Sequence, residues 1–310
     1  MKTFSRLKKL LIYARYFYLI FQIFKLRKSI VESDECVVIG NGPSLNDSLT
    51  MDINFIKSKK LFCVNNFVNS EYFTKLKPDF YVLTDSNYWD KDVYAISQDI
   101  KKGDVGKYSK ITIDYFKVVM ESHNDFFSNI INKTKWELNL FVPLQSKPTG
   151  IFDKLAKEND HIKIIYYSMI PFNFKFSFIR HFLYRLNVCM PTAQTVLHAA
   201  TFLALNLNFK KIYLIGVDHS WHEDLVLDKN NIIYTKDKHF YDQDKQKMTP
   251  FVFDIKTGST PKMYEVFFEL HIMFKSYLFL DKYAKSIGAK IYNSSKKTFV
   301  DAFERYDNTI

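Results

Sequence analysis

The chain has 310 residues, 47% hydrophobic and 17% aromatic, which is enough apolar material for one large α/β domain or two smaller ones and too much for global disorder. A formal net charge of +11 favours anionic partners such as phosphates, nucleotides, acidic glycans or anionic lipid, whereas the absence of zinc-finger spacing, an arginine-rich tail or an RNA-binding aromatic signature sets nucleic acid aside. Cys36, Cys63 and Cys189 lie scattered in apolar contexts, which excludes a disulfide framework or thiolate metal cluster and suits buried thiols in a reducing compartment.

At the N-terminus, Arg6, Lys8 and Lys9 precede an apolar, aromatic run over 10–24, and Lys25, Arg27 and Lys28 follow it. The basic start resembles a signal peptide but has no small-residue cleavage site. Arg15 and Gln22 interrupt the run, which argues against a spanning helix. Two readings stay open for residues 1–32. One is an interfacial helix on an anionic membrane surface, on the cytoplasmic side. The other is a helix packed on its own domain or on a partner subunit, as in a homo-oligomer.

Residues 33–310 read as one α/β domain with a Rossmann-like, mostly parallel sheet. Cys36–Ile39 form a buried strand that enters the turn Gly40-Asn41-Gly42-Pro43-Ser44. Glycine permits close backbone approach, Pro43 fits a turn or first helical position, and Asn41 and Ser44 add short polar groups. The turn is therefore either an anion or nucleotide cradle or a plain strand-to-loop connection. Residues 46–56 read as loop and short helix. Leu61–Val64 and Phe80–Thr84 read as strands ending in Asn65-Asn66 and Asp85-Ser86-Asn87. Three successive strands that end in short polar residues place those ends along one edge of a parallel sheet. Ile111–Ile113 reads as a short strand, 114–131 as helical or irregular, and Phe141–Leu144 and Ile162–Tyr167 as strands. A segment from about 145 to 190 reads as an aromatic-rich lid or acceptor-binding insert.

The βα pattern returns at 188–218. Pro191-Thr192-Ala193 opens a helix whose body runs from Gln194 to Leu205. Lys211–Ile215 is a buried strand ending in Gly216-Val217-Asp218-His219-Ser220. Residues 221–261 read as a long polar loop, which in a compact domain is functional or disordered. Residues 262–286 carry apolar side chains at helical spacing, and Lys290–Asn293 is a last short strand.

Among chemical candidates, His239 lies in the polar loop beside Lys238, Tyr241 and Asp242. It suits a base that takes the proton of an attacking sugar hydroxyl; a surface histidine without a role is the competing reading. Asp218 is a ribose ligand or a helix cap, and Asp85 a base or ribose contact or a turn former. Asn65 carries the same ambiguity. His198 reads as a satisfied core histidine. His219, His222, Glu223 and Asp224 match no metal-ligand spacing. A divalent ion on a nucleotide diphosphate, held through Asp218 or Asp224, is compatible with the sequence but not expected to be essential. The 40–44 turn lacks the Lys-Ser/Thr ending of an ATP-binding loop and the third glycine of the dinucleotide fingerprint.

Gly40-Asn41-Gly42-Pro43-Ser44-Leu45 resembles the N-terminal signature of the Campylobacter-type lipooligosaccharide sialyltransferases. These belong to glycosyltransferase family 42, within a wider group of flagellin nonulosonate-transferase-like and archaeal hydroxymethylpterin pyrophosphokinase-like proteins. Val64-Asn65-Asn66-Phe67 is similar to that family's Cys-Asn-Gln-Phe, and Thr84-Asp85-Ser86 falls where it has Tyr-Asn-Pro. The run from Leu207 to Asp218 is similar to its Gly-Tyr-Lys-Glu-Ile-Tyr-Leu-Ser-Gly-Ile-Asp. Thr192-Ala193-Gln194-Thr195 corresponds to the turn that holds phosphate and sugar, without its Ser-Gly pair. Lys238-His239-Phe240-Tyr241 resembles Ser-His-Tyr, which maps His239 onto the general base. Asn293-Ser294-Ser295 and Phe299–Phe303 resemble the C-terminal pattern. Ser220 stands where the family has a tyrosine, and Tyr234 offers a substitute hydroxyl.

The resemblance implies inverting transfer of sialic acid or a related nonulosonic acid from a CMP-activated donor to a lipid-linked or surface glycan acceptor, with no required cofactor. Asn41, Gly42, Pro43, Ser44, Asn65, Asp85, Thr192, Ala193, Gln194, Thr195, Gly216, Asp218 and Tyr234 would bind the nucleotide sugar. Turn N–H groups with Ser44, Thr192 or Tyr234 would stabilise the departing phosphate, and 221–261 would act as active-site loop or lid. The alternatives are a different nucleotide-sugar donor, a pterin-type pyrophosphokinase and a non-catalytic membrane-peripheral binding protein.

Overall fold

The computed structural model describes residues 17–27, 33–236, 240, 248–255 and 257–306, with the backbone alone at 118–124 and 236. Helix α1 covers residues 17–27. The main sheet is built from β1 (Glu35–Ile39), β2 (Lys60–Val64), β3 (Phe80–Val82), β4 (Leu138–Pro143), β5 (Ile162–Tyr167), β6 (Lys211–Ile215), β10 (Lys290–Asn293) and β11 (Glu304–Arg305). Its order is β11-β10-β6-β1-β2-β3-β4-β5, and every neighbouring pair is parallel. The chain winds outward from β1 through β2 to β5, then returns to β6 on the other side of β1. This reversal opens a crevice beyond the C-terminal ends of β1 and β6, where ligands bind in open α/β sheets.

Helices cover both faces of the sheet, so its strands are apolar on both sides. In β1, Cys36 and Val38 enter one core cluster while Val37 and Ile39 enter the other. One face is covered by α8 (Ser177–Arg185), α9 (Val196–Asn206) and α10 (Met263–Ser286). The other carries α2 (Leu45–Met51), α3 (Ile53–Lys57), α4 (Tyr72–Leu76), α6 (Lys110–Lys133) and α7 (Ile151–Glu158), with α5 (Lys91–Lys102) beside α6. Every residue of α9 is buried. Its polar members are paired: Thr201 Oγ1 donates to Leu197 O at 2.7 Å, and Asn206 accepts from Tyr283 OH at 2.6 Å.

Helix α1 closes the β5 edge. Leu19 and Ile23 are buried in opposite core clusters, so the helix straddles the edge of the sheet. Tyr166 N–H, on β5, donates to Gln22 Oε1 at 3.2 Å, satisfying a donor of the sort that open edges leave unpaired. Arg27 donates to Asn206 O and Arg185 O, at the C-terminal ends of α9 and α8. Burial pulls its pKa down to about 10, with Arg185 adding to that shift. One face of α1 is thus packed against the domain. The other face exposes Phe17, Phe21 and Phe24. No helix among the described residues is long and apolar enough to cross a membrane.

Several expectations change. Ile111–Ile113 is not a strand but the first turn of α6, where Ser109 Oγ accepts from Thr112 N–H at 3.1 Å. A side-chain cap at the head of a 24-residue helix outweighs the local β-branched pattern. Residues 145–190 are not a lid as a whole, because α7, β5 and α8 belong to the layers of the main fold. Helix α9 begins at Val196 rather than Pro191, leaving 191–195 as loop. The described part of 221–261 is not structureless: β7 (Leu225–Leu227), β8 (Ile233–Lys236) and β9 (Met248–Pro250) form a small antiparallel sheet. All three cysteines are free and buried.

Candidate functional site

The crevice at the β1/β6 reversal is held closed at its base by the backbone. Gly40 N–H donates to Ile215 O at 2.7 Å, and Gly42 N–H donates to Gly216 O at 2.9 Å. A Cβ on Gly42 would lie 2.3 Å from Asp218 Oδ1. One on Gly216, whose φ is +66°, would lie 2.9 Å from Leu45 Cβ. The glycines of the 40–44 turn therefore serve the approach of two protein loops to each other.

Asp218 is the clamp between those loops. It is buried, accepting from Ser44 N–H at 2.9 Å through Oδ2 and from Ser44 Oγ at 2.6 Å through Oδ1. The carboxylate sits at the head of α2, where a helix presents unpaired N–H groups and positive potential. Burial raises its pKa, while the Ser44 bonds and the Lys297 ammonium oppose that rise. The place the 40–44 turn reserves for an anion is thus filled by the protein's own carboxylate. The cap reading of Asp218 is the one this geometry supports, and Ser44 directs its hydroxyl to that cap.

Above the clamp lies an open cavity of about 400 Å³. Of the residues singled out in the sequence, Asn41, Gly42, Pro43, Asn65, Asp85, Ala193, Gln194, Thr195, Gly216 and Asp218 line it. Ser44 does not, being turned to Asp218. Thr192 lies off the wall, its Oγ1 accepting from Asn173 Nδ2 at 2.7 Å. Tyr234 lies on β8 opposite Val226 and Pro250, also off the wall. His239 lies outside the described residues. Its neighbour Phe240 is tied to the site: Phe240 N–H donates to Asn41 O at 3.1 Å, and Asn46 Nδ2 donates to Phe240 O at 3.0 Å.

Two buried amide oxygens of residues in this wall, Asn41 Oδ1 and Asn65 Oδ1, have no hydrogen-bond partner among the described residues. Asn41 Nδ2 is engaged with Val64 O at 3.2 Å, which fixes the amide. Asn65 holds φ at +47°, a conformation asparagine tolerates better than most side chains. Buried unpartnered acceptors are costly, and both residues belong to the cavity wall. Asp85 is occupied locally, accepting from Asn87 N–H at 2.9 Å and Asn87 Nδ2 at 3.1 Å.

The opposite wall is the N-terminus of α9, with Gln194, Thr195, Val196 and Leu197 facing the cavity. The leading N–H groups of a helix lack intrahelical acceptors and attract anions. Behind them His198 is a satisfied core histidine. Its Nδ1 accepts from Thr195 N–H at 3.3 Å, its Nε2 pairs with Met273 O at 3.0 Å, and burial lowers its pKa to about 4. His219 does line the cavity, with Nε2 2.6 Å from Tyr277 OH. Burial, with a smaller contribution from His198, lowers its pKa to about 3, so it is a neutral imidazole at physiological pH. Trp221, half-exposed at the wall, packs on His219 at 5.1 Å between ring centroids. The sequence places His219, with Asp218, at the binding edge of the sheet but gives Trp221 no place there; its position five residues beyond Gly216 is the available signal. Met169, following β5, also enters the wall, with no local pattern to announce it.

Among the described residues no group of three or more His, Cys, Asp or Glu is arranged to hold a metal ion. Fold and site together define a Rossmann-like α/β protein with a polar ligand cavity at its topological switch point. No protein-family model matches the chain, and no curated protein matches it. Among solved structures the chain is similar to the MAf glycosyltransferase from Magnetospirillum magneticum AMB-1, at 14% identity and a TM-score of 0.42. That alignment covers 94% of this chain and 38% of the other.

Proposed function

We propose that the chain is a glycosyltransferase that moves a nonulosonic acid such as sialic acid from a CMP-activated donor to a lipid-linked or surface glycan, with inversion at the anomeric carbon. The observation that carries this reading is the switch-point cavity, whose wall brings Asn41 and Asn65, at the ends of β1 and β2, together with the N-terminus of a buried helix. Cytosine and ribose carry N–H and O–H donors that complement Asn41 Oδ1 and Asn65 Oδ1. The phosphate is met by neutral N–H groups at the head of α9, which suits the single phosphate of a CMP donor. The acceptor hydroxyl attacks the anomeric carbon, the bond to the phosphate oxygen breaks, and CMP leaves with that electron pair. His239 takes the hydroxyl proton; the anchoring of Phe240 to Asn41 supports its assignment to this site. The exposed Phe17, Phe21 and Phe24 of α1 support a membrane-peripheral placement on the cytoplasmic side, close to a lipid-linked acceptor.

The test is a hydrolysis and transfer screen of the full chain against CMP-, UDP- and GDP-activated sugars, with and without EDTA. CMP release confined to CMP-nonulosonates, with transfer reduced at least a hundredfold in His239→Ala, is the expected result. Turnover confined to UDP or GDP sugars overturns the donor assignment and points instead to a different nucleotide sugar, to which Asp85 on the wall would contribute.

A further inference from the structure

We propose that the acceptor carries an apolar group and that this group seats in a second cavity, joined to the first by a continuous trough; this rests on the glycosyltransferase reading above. The second cavity, about 450 Å³, lies among α5, α6 and α7. Its walls are largely aromatic and aliphatic, with Trp89, Tyr94, Phe116, Phe127 and Ile151 prominent. Tyr94 is exposed at its mouth. Apolar surface held open to water in this way is stabilised by an apolar occupant.

The link to the candidate site is geometric. A third cavity, about 620 Å³, shares Thr84 and Met169 with the switch-point cavity. It shares Trp89, Asp90, Lys91 and Thr149 with the apolar one. Its own wall adds Ser86 and Gln145, hydrogen-bonding groups of the sort that hold sugar hydroxyls. From the donor site outward the surface becomes steadily more apolar. An acceptor whose glycosyl end lies in the middle section and whose alkyl or aryl end lies among α5, α6 and α7 matches that sequence. Continuity with the donor cavity is what selects the acceptor's tail, rather than a partner helix or a free lipid, as occupant.

The experiment compares n-octyl β-D-galactoside, below its critical micelle concentration, with methyl β-D-galactoside by titration calorimetry on the full chain, with and without CMP. Two variants at the wall, one turn apart on α5, are Ser97→Trp, which fills the cavity, and Val93→Asp, which makes it polar. Octyl galactoside is expected to bind at least tenfold more tightly than the methyl compound. Each variant is expected to remove at least tenfold of that affinity while leaving CMP affinity and melting temperature unchanged. Octyl and methyl compounds binding alike, or failing to bind, overturn the proposal. So does octyl binding that both variants leave intact, since the exposed aromatics of α1 and α8 would then hold the chain. A variant that melts early is set aside in favour of the other. Absence of CMP binding sinks the nucleotide reading separately, whatever the alkyl preference.

Discussion

Replacing Asp218 by alanine is expected to destabilise the protein by about 3 kcal/mol. The carboxylate accepts two bonds from Ser44, at 2.9 Å from N–H and 2.6 Å from Oγ. Hydrogen bonds to a charged partner contribute about 1.5–3 kcal/mol each, so the pair accounts for about 3–6 kcal/mol. The same carboxylate is buried, and the upward push on its pKa shows that holding it ionised is unfavourable. Alanine removes that penalty along with the bonds, which puts the net loss at the lower end of the range. Ser44→Ala removes the Oγ bond alone and is expected to lose about 1.5–3 kcal/mol. Because the two side chains share that bond, the double variant should be less destabilised than the sum of the singles. Urea unfolding at pH 7.5, followed by circular dichroism and tryptophan fluorescence, gives each value, and CMP titration of the same samples gives the ligand affinity. A clamp predicts a large stability loss whose effect on CMP binding follows from the loosened loops. Asp218→Ala with stability within about 0.5 kcal/mol of the parent and CMP binding abolished would refute the clamp and make Asp218 a ligand contact.

The glycine in the same contact gives a second expectation. Gly42→Ala places a methyl group 2.3 Å from Asp218 Oδ1 and 2.8 Å from Gly216 O, and overpacking of this sort costs about 1–3 kcal/mol; an unchanged thermal midpoint would mean that the loops yield freely. The third concerns pH. His198 and His219 have their pKa values lowered by burial, to about 4 and about 3, from an ordinary value of 6.5. Below pH 6.5 the unfolded chain takes up both protons and the folded chain does not, so the stability they confer is fully present above that pH and drains away as pH falls toward the folded values. At pH 5 the loss is about 2 kcal/mol for each residue, from the gap of about 1.5 units to the unfolded pKa. Urea midpoints that do not fall between pH 7.5 and 5 would contradict the neutral, buried assignment.

The repeated pattern of an apolar run followed by Asn, Asp or Ser was legible in the sequence because it is local. Ile39, Val64, Leu83 and Ile215 each precede short polar residues, and chain continuity alone sends those residues past a strand end. The sheet, its parallel sense, the helix at 263–286 and the core role of His198 follow from spacing and composition in the same way. Ile111–Ile113 misled because three residues cannot distinguish a β-branched strand from the first turn of a capped helix. Residues 145–190 misled because the segments that hold the two short helices around the strand at 162–167 carry the same mix of Pro, Gly and aromatic residues as an insert.

The sequence by itself determined which segments are buried and which strand ends are polar, since hydrophobic periodicity and turn chemistry act over a few neighbouring residues. Only the tertiary structure decided what those polar ends do. Asp218 and Ser44 are 174 positions apart, and Asp218 became a clamp because winding outward from β1 and back to β6 sets them face to face. The same reversal brought Asn41, Asn65 and the head of α9 into one cavity wall. Which carboxylate is satisfied within the protein and which polar residues come to line the cavity depends on distances across the fold.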